Sequence, residues 1–374
     1  MKIFTLSSSL LDEAQGSGYV VMGYVRRLRE RGHEVDVVGP RELLDLDRGS
    51  RALRYRQMLA MATQSIARLG QGYQIFEYYG GEAWLAIEIL RRLKRRPLLV
   101  AHSNGLEPFA ARLASAANST LEAQSRKWTR PELVGLLARS FTGSDALVTV
   151  SNFDREFALE NAYKPGDRVL AIDNPLPDSF LNQPLVHERP PRIVFCGSWI
   201  ARKGIEVLCN DVRKFLETRT DWNLTLVGVG PGVRVADYFP ESIATRVDVV
   251  PHTDREGDLK RIYLGSRIAI QSSVYESFGL AAAEAMSCGC ALVASRVGFA
   301  ASLVDGQEAL LFRSTGNPSL AECLMTLAGN EQLRRHIAAN GHGRVQNLRW
   351  SSAAERLERA YLSWIEEHRH SQLG

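Results

Sequence analysis

A short apolar run recurs along this chain, and nearly every copy ends in polar or glycine residues. Residues 3–6 lead into Ser7, Ser8 and Ser9, and residues 98–101 lead into His102-Ser103-Asn104-Gly105. Residues 75–76 lead into Glu77-Tyr78-Tyr79-Gly80-Gly81, residues 146–150 into Ser151-Asn152, and residues 169–172 into Asp173-Asn174-Pro175. Between the first runs, Val20, Val21, Tyr24, Val25 and Leu28 form one helical stripe, ended by Gly32 before Val35, Val37 and Val38 open a strand. Strand, loop, helix and strand in repetition specify a doubly wound α/β sheet with its functional loops on one edge.

The pattern stops over residues 175–191, where no apolar period survives, and then restarts. Residues 192–196, 223–227 and 247–250 are strands, each followed by a loop, and Ile205, Leu208, Val212 and Leu216 mark a helix. A chain of 374 residues is long for one domain. We therefore expect two Rossmann-like domains, 1–182 and 183–346, facing a cleft. A terminal helix over 347–374 follows, with Trp350, Ala353, Ala354, Leu357, Ala360, Tyr361 and Trp364 at helical spacing.

Composition excludes several classes. A formal charge of +4 is too mild to indicate nucleic acid. Five cysteines without C-x-x-C spacing support neither a disulfide framework nor a zinc site, which points to a reducing cytoplasm. The segment MKIFTLSSSL is too short and polar for a signal sequence, and no apolar run approaches a membrane span. Contact with a membrane would be peripheral.

The most informative stretch is 273–312. The strand over 267–270 precedes it, so its loop leaves the carboxyl end of a parallel strand, where open α/β sheets bind ligands. Phe278, Gly279 and Leu280 open a helix whose free amides favour an anion. Glu276 lies in the loop before that helix and Glu284 about one turn inside it, so both can face a ligand at the helix start. Carboxylates beside an anion site make sense when they meet hydroxyls. Arg202 and Lys203, in a strand-to-helix loop on the same edge, are cations suited to two phosphates, or else a solvated basic turn.

Other candidates carry less local signal. The glycine loop Gly16-Ser17-Gly18 allows backbone amides near a phosphate, although glycines also make tight turns. His102 is the histidine of the first half placed at a strand's carboxyl end, a position that suits structural and chemical roles alike. Asp45-Leu46-Asp47 reads as a surface turn rather than a metal site. Two basic clusters, Arg26, Arg27, Arg29 and Arg31, and Arg91, Arg92, Lys94, Arg95 and Arg96, are solvated faces or contacts for anionic lipid.

These residues together resemble the family 4 retaining glycosyltransferases of GT-B fold. The resemblance rests on Gly197 through Arg202-Lys203-Gly204, on Leu226 through Pro231, and above all on Glu276-Ser277-Phe278-Gly279-Leu280 with Glu284, an E-x7-E arrangement. In the first half Gly16-Ser17-Gly18, residues 31–35, His102, Ser144-Asp145, Val150-Ser151 and Asn174 are similar to the family's stations.

The resemblance implies a metal-independent transfer of a sugar from a nucleoside-diphosphate sugar to a hydroxyl of a glycan, lipid-linked glycan or small glycoside. It implies a terminal helix that crosses back onto the first domain, and no cofactor beyond the nucleotide-sugar co-substrate. Glu284 would read the ribose and Glu276 the transferred sugar. Lys203, Arg202 and the amides near Phe278, Gly279 and Leu280 would hold the diphosphate, with Gly16, Ser17 and Gly18 also on the donor and His102 near its sugar. Many relatives have arginine where this chain has Ser198, and Arg202 lies in the same loop. An epimerase or phosphorylase of the same fold, or a non-catalytic nucleotide-sugar-binding protein, are the competing readings.

Overall fold

The computed structural model describes residues 1–44, 51–116, 131–186, 188–313 and 316–373. They form two compact units. One comprises Met1–Arg112, the described part of Arg126–Pro175, and Trp350–Gly374. The other comprises Leu176–Arg349 and the described part of Leu113–Ser125.

Each unit is built on a six-stranded parallel sheet. The first runs β2-β1-β3-β4-β5-β6, with β1 Lys2–Ser7, β2 Glu34–Val38, β3 Ile75–Tyr79, β4 Leu98–His102, β5 Ala146–Thr149 and β6 Val169–Ala171. The second runs β12-β11-β10-β7-β8-β9, with β7 Arg192–Cys196, β8 Asn223–Val227, β9 Val247–Val250, β10 Ile268–Gln271, β11 Ala291–Ser295 and β12 Leu310–Phe312. The α/β class and the two parallel sheets agree with the sequence expectation.

The helix Ile205–Thr218 shows why these elements pack. Ile205, Leu208, Cys209, Val212, Phe215 and Leu216 recur every three or four residues, so all fall on one face and are buried. They join Ile193, Phe195, Trp222 and Leu224 in the core of the second unit. Each such side chain contributes roughly 1.5–3 kcal/mol on full burial.

The sequence expectation differs from the fold in three places. Residues 77–79 are the end of β3 rather than a loop, and Glu77, Tyr78 and Tyr79 are buried. Polar atoms can enter the sheet there because Glu77 and Tyr78 find partners, Tyr78 donating to Ser65 Oγ at 3.0 Å. Gly16, Ser17 and Gly18 are not a loop but the first turn of the helix Gly16–Glu30. The stretch after Pro175 is packed: Leu176, Phe180 and Leu181 are buried, and the Leu176 amide donates to Leu348 O at 2.9 Å.

The helix Trp350–Leu373 completes the first unit. Trp350 Nε1 donates to Tyr19 Oη at 2.8 Å, and the Trp350 ring meets Tyr24 edge-on at 5.3 Å. Arg356 donates to Ala171 O and Trp364 Nε1 to Asp167 O. No helix among the described residues is long and apolar enough to cross a membrane.

Candidate functional site

In the second sheet the strand order reverses between β7 and β10, neighbours paired from Ile193 with Ile268 onward. Such a reversal splays the two following loops apart and opens a crevice at the carboxyl edge. Lys203 follows β7 and Glu276 follows β10, so both stand at this point.

The two loops are tied together. The Val274 amide donates to Arg202 O at 2.8 Å, and Ser272 Oγ donates to Lys203 O at 2.8 Å. Gly204, at φ 67°, makes the approach possible, because a Cβ there would sit 1.9 Å from Ser272 O. Lys203 Nζ donates to Glu276 Oε1, which also accepts from Ser273 Oγ at 2.7 Å. Glu276 is 8% exposed.

Burial alone would raise the Glu276 carboxyl. The Lys203 charge, the Arg202 charge, and the hydrogen bonds from Lys203 and Ser273 outweigh burial and hold it below its ordinary value. Glu276 is therefore an ionised acceptor at neutral pH. An ammonium has three donors, and Lys203 spends one on Glu276, which leaves capacity for oxygen atoms of a ligand. Arg202 is exposed, close enough for its charge to act on Glu276.

The helix Leu280–Ser287 starts beside this pair. Gly279 caps it at φ 100°, and a Cβ there would lie 2.3 Å from Gln271 Oε1. Phe278 is buried and stacks obliquely on Phe299, and its carbonyl accepts from the Phe299 amide at 2.8 Å. Glu284 lies inside the helix, 2% exposed. The structure thus brings Arg202, Lys203, Glu276, Phe278, Gly279 and Leu280 to one edge, with Glu284 on the helix they open. Ser273 was missed from the sequence, and its signal is a hydroxyl three residues before an acid in a loop.

His102 and the Gly16 turn belong to the first unit. His102 ends β4, is 3% exposed, and is packed among aromatic rings: Tyr79 stacks on it at 4.3 Å and Tyr24 lies 6.3 Å away. Its Nε2 is 2.6 Å from Tyr361 Oη and 3.3 Å from Glu77 Oε1. The sequence did not single out Glu77 and Tyr361 as partners of His102. An acid inside the strand IFEYY is the signal, since a buried carboxylate needs partners. Gly18 packs against the Asp12 backbone, where a Cβ would lie 2.2 Å from Asp12 O.

Most of the basic clusters are neutralised within the protein. Arg26 pairs with Glu13, Arg27 with Glu30, Arg31 with Glu358, Arg91 and Arg92 with Glu88, and Arg96 with Asp145. Arg29 donates to Val35 O. Asp45-Leu46-Asp47 lies outside the described residues.

Residues 190–330, which carry the Lys203–Glu276 edge, match the family described as glycosyl transferases group 1. That segment is similar to the group 1 glycosyl transferases. Its strands β7 to β12 and the helix Leu280–Ser287 all fall within the match. The fold is that of the GT-B glycosyltransferases. Sucrose-phosphate synthase from Thermosynechococcus elongatus superposes with a TM-score of 0.80 at 18% identity, covering 98% of this chain and 100% of that one. HepE of Anabaena, solved in complex with UDP-glucose, gives 0.68 at 16% identity over 97% and 100%. At these identities the likeness is one of fold.

Curated relatives carry glycosyltransferase names. An uncharacterized glycosyltransferase of Bacillus subtilis is 25% identical over 293 residues, 74% of this chain and 80% of that protein. Another of Methanocaldococcus jannaschii is 21% identical over 237 residues, 59% and 66%. The phosphatidyl-myo-inositol mannosyltransferase of Mycobacterium tuberculosis is 26% identical over 224 residues, 57% and 58%. The chain therefore spans less than two thirds of the mycobacterial relative.

Proposed function

We propose that this chain is a retaining glycosyltransferase that moves a hexose from a nucleoside-diphosphate sugar to an acceptor hydroxyl without a metal ion. The observation that carries the reading is the Lys203–Glu276 pair at the β7/β10 strand reversal, beside the start of the helix Leu280–Ser287. Cation, amides and carboxylate at one point suit a ligand that is anionic at one end and hydroxylated at the other.

Lys203 and Arg202, with the amides at 278–280, hold the diphosphate. Glu276 accepts hydrogen bonds from the transferred sugar and Glu284 from the ribose. Gly16, Ser17 and Gly18 contact the donor, and His102 supports charge at the reacting centre. The bond from the sugar's anomeric carbon to the diphosphate oxygen breaks, and the acceptor oxygen bonds that carbon from the same face. The acceptor proton passes to the departing phosphate. Negative charge grows on the diphosphate as the bond breaks, so the cations stabilise the transition state more than the ground state. The acceptor is a glycan, a lipid-linked glycan or a small glycoside. A nucleotide-sugar donor is supported by the UDP-glucose complex of HepE, and a lipid-linked acceptor by the name of the mycobacterial relative.

The test is nucleotide release from a panel of UDP-, GDP- and ADP-sugars, with and without candidate acceptors. Release that needs an acceptor, persists in a chelator and falls by about a hundredfold or more in Glu276→Ala is the expected result. Donor binding without turnover on any acceptor would sink the enzyme reading. Unchanged donor affinity in the Arg202→Ala, Lys203→Ala double variant would remove both from the diphosphate.

A further inference from the structure

The first unit holds a buried hydrogen-bonded chain that ends on His102. Glu77 lies in the middle of β3, is 1% exposed, and pairs in register with Thr5 of β1. Its Oε2 accepts from Thr5 Oγ1 at 2.5 Å, and its Oε1 accepts from the Tyr361 hydroxyl. His102 Nε2 stands 2.6 Å from that same hydroxyl oxygen and 3.3 Å from Glu77 Oε1. Burial would raise the Glu77 carboxyl, but the His102 contact first, then Thr5 and Tyr361, hold it below its ordinary value, so it is an acceptor only.

A phenol has one proton. Tyr361 gives it to Glu77, so its oxygen can meet His102 Nε2 only as an acceptor, and Nε2 must carry hydrogen. Turning the ring over would keep its plane but put Cε1 where Nε2 meets Tyr361 Oη and Glu77 Oε1, so both contacts favour the observed orientation. Tyr79 stacks on one face at 28°, and Tyr361 meets the ring at 84°.

We propose that Tyr361 and Glu77 are positioning residues that fix His102 with its proton on Nε2, so that Nδ1 is left as the acceptor nitrogen of the neutral ring. The terminal helix thereby sets the chemistry of a residue at the end of β4. The significance for sugar transfer rests on the proposed function, but the tautomer does not.

The experiment keeps those two apart. Long-range proton–nitrogen spectra of the full-length protein labelled at histidine, with the His102 signals assigned through His102→Asn, report which nitrogen is protonated in the neutral ring. Expected are a protonated Nε2 and an unprotonated Nδ1 in the wild type. Tyr361→Phe combined with Glu77→Leu, which removes both acceptors facing Nε2, should bring in the other tautomer, whereas Tyr361→Phe alone leaves Glu77 Oε1 3.3 Å away to keep Nε2 protonated. A wild-type spectrum with Nδ1 protonated overturns the proposal, and so does an unchanged tautomer in the double variant. The wild-type spectrum needs no variant to fold, and thermal melts identify any variant that does not. In nucleotide-release assays the double variant should lower kcat by at least about tenfold with donor KM nearly unchanged. A shifted tautomer with unaltered kcat would leave the assignment standing and overturn the part given to His102 in transfer.

Discussion

At the scale of single residues, the acids and glycines of the site make separable predictions. Glu276 and Glu77 both have carboxyls held below their ordinary value of 4.5 in the folded protein. A depressed folded value means the unfolded chain binds the proton more tightly, so stability is lost as pH falls. Their contribution is therefore complete above 4.5 and disappears on acidification below it. Glu276→Gln should unfold at a lower urea concentration than the wild type at pH 7, and the gap should narrow at pH 4. An equal gap at both values would show that the Lys203 pairing does not stabilise the fold. Gly204 faces a different constraint, since any Cβ meets the Ser272 carbonyl at 1.9 Å from a backbone of φ 67°. Gly204→Ala should cost more than about 1 kcal/mol in urea melts. Gly166→Ala, where nothing lies within 4 Å, should stay within about 0.5 kcal/mol. Glu276, Lys203 and Gly204 could be picked out from sequence because loop acids, cations and glycines after apolar runs have few structural reasons to be there. Glu77 could not be given a role, because its partners Thr5, His102 and Tyr361 are remote in sequence.

At the scale of elements, strands buried on both faces were legible and their ends were not. β8 runs over Asn223–Val227, as its apolar run required, whereas β3 reaches Tyr79 past an acid that local pattern assigns to a loop. The three-residue β12 leaves too little sequence for a period to show. Helix ends blurred for a related reason, since Gly16–Gly18 has the composition of a loop and is helical. A contact between helices explains another glycine in that first helix. A Cβ on Gly23 would fall 2.0 Å from the Trp350 ring, so the helices Gly16–Glu30 and Trp350–Leu373 can meet at this distance only with glycine at 23. Gly23→Val should destabilise the first unit by about 1–3 kcal/mol, the usual cost of overpacking. Hydrogen exchange should quicken in both helices and stay unchanged in β7 to β12. Wild-type protection in the variant would mean that Trp350 swings aside at no cost.

At the scale of the whole molecule, the chain leaves the first unit at Arg112–Leu113 and at Pro175–Leu176 and returns to it for the last time at Arg349–Trp350, so the first unit is finished by the last helix. Its closing contacts are far apart in sequence: Trp350 to Tyr19 spans 331 residues, Tyr361 to Glu77 spans 284, and Tyr361 to His102 spans 259. The second unit is nearly contiguous, with its own sheet and a core centred on Phe195, Leu208, Phe215 and Trp222. Closing a long loop costs more entropy than closing a short one, and the cost precedes any contact that repays it. The second unit has the shorter loops to close. Refolding from urea should therefore protect the amides of β7 to β11 before those of the helix Trp350–Leu373, as read by pulse-labelled hydrogen exchange. A nucleoside diphosphate that binds the native second unit should strengthen the protection of that unit early, since a ligand selective for the folded state stabilises it by mass action. If the terminal helix gained protection first, loop entropy would not be what orders the folding of this chain.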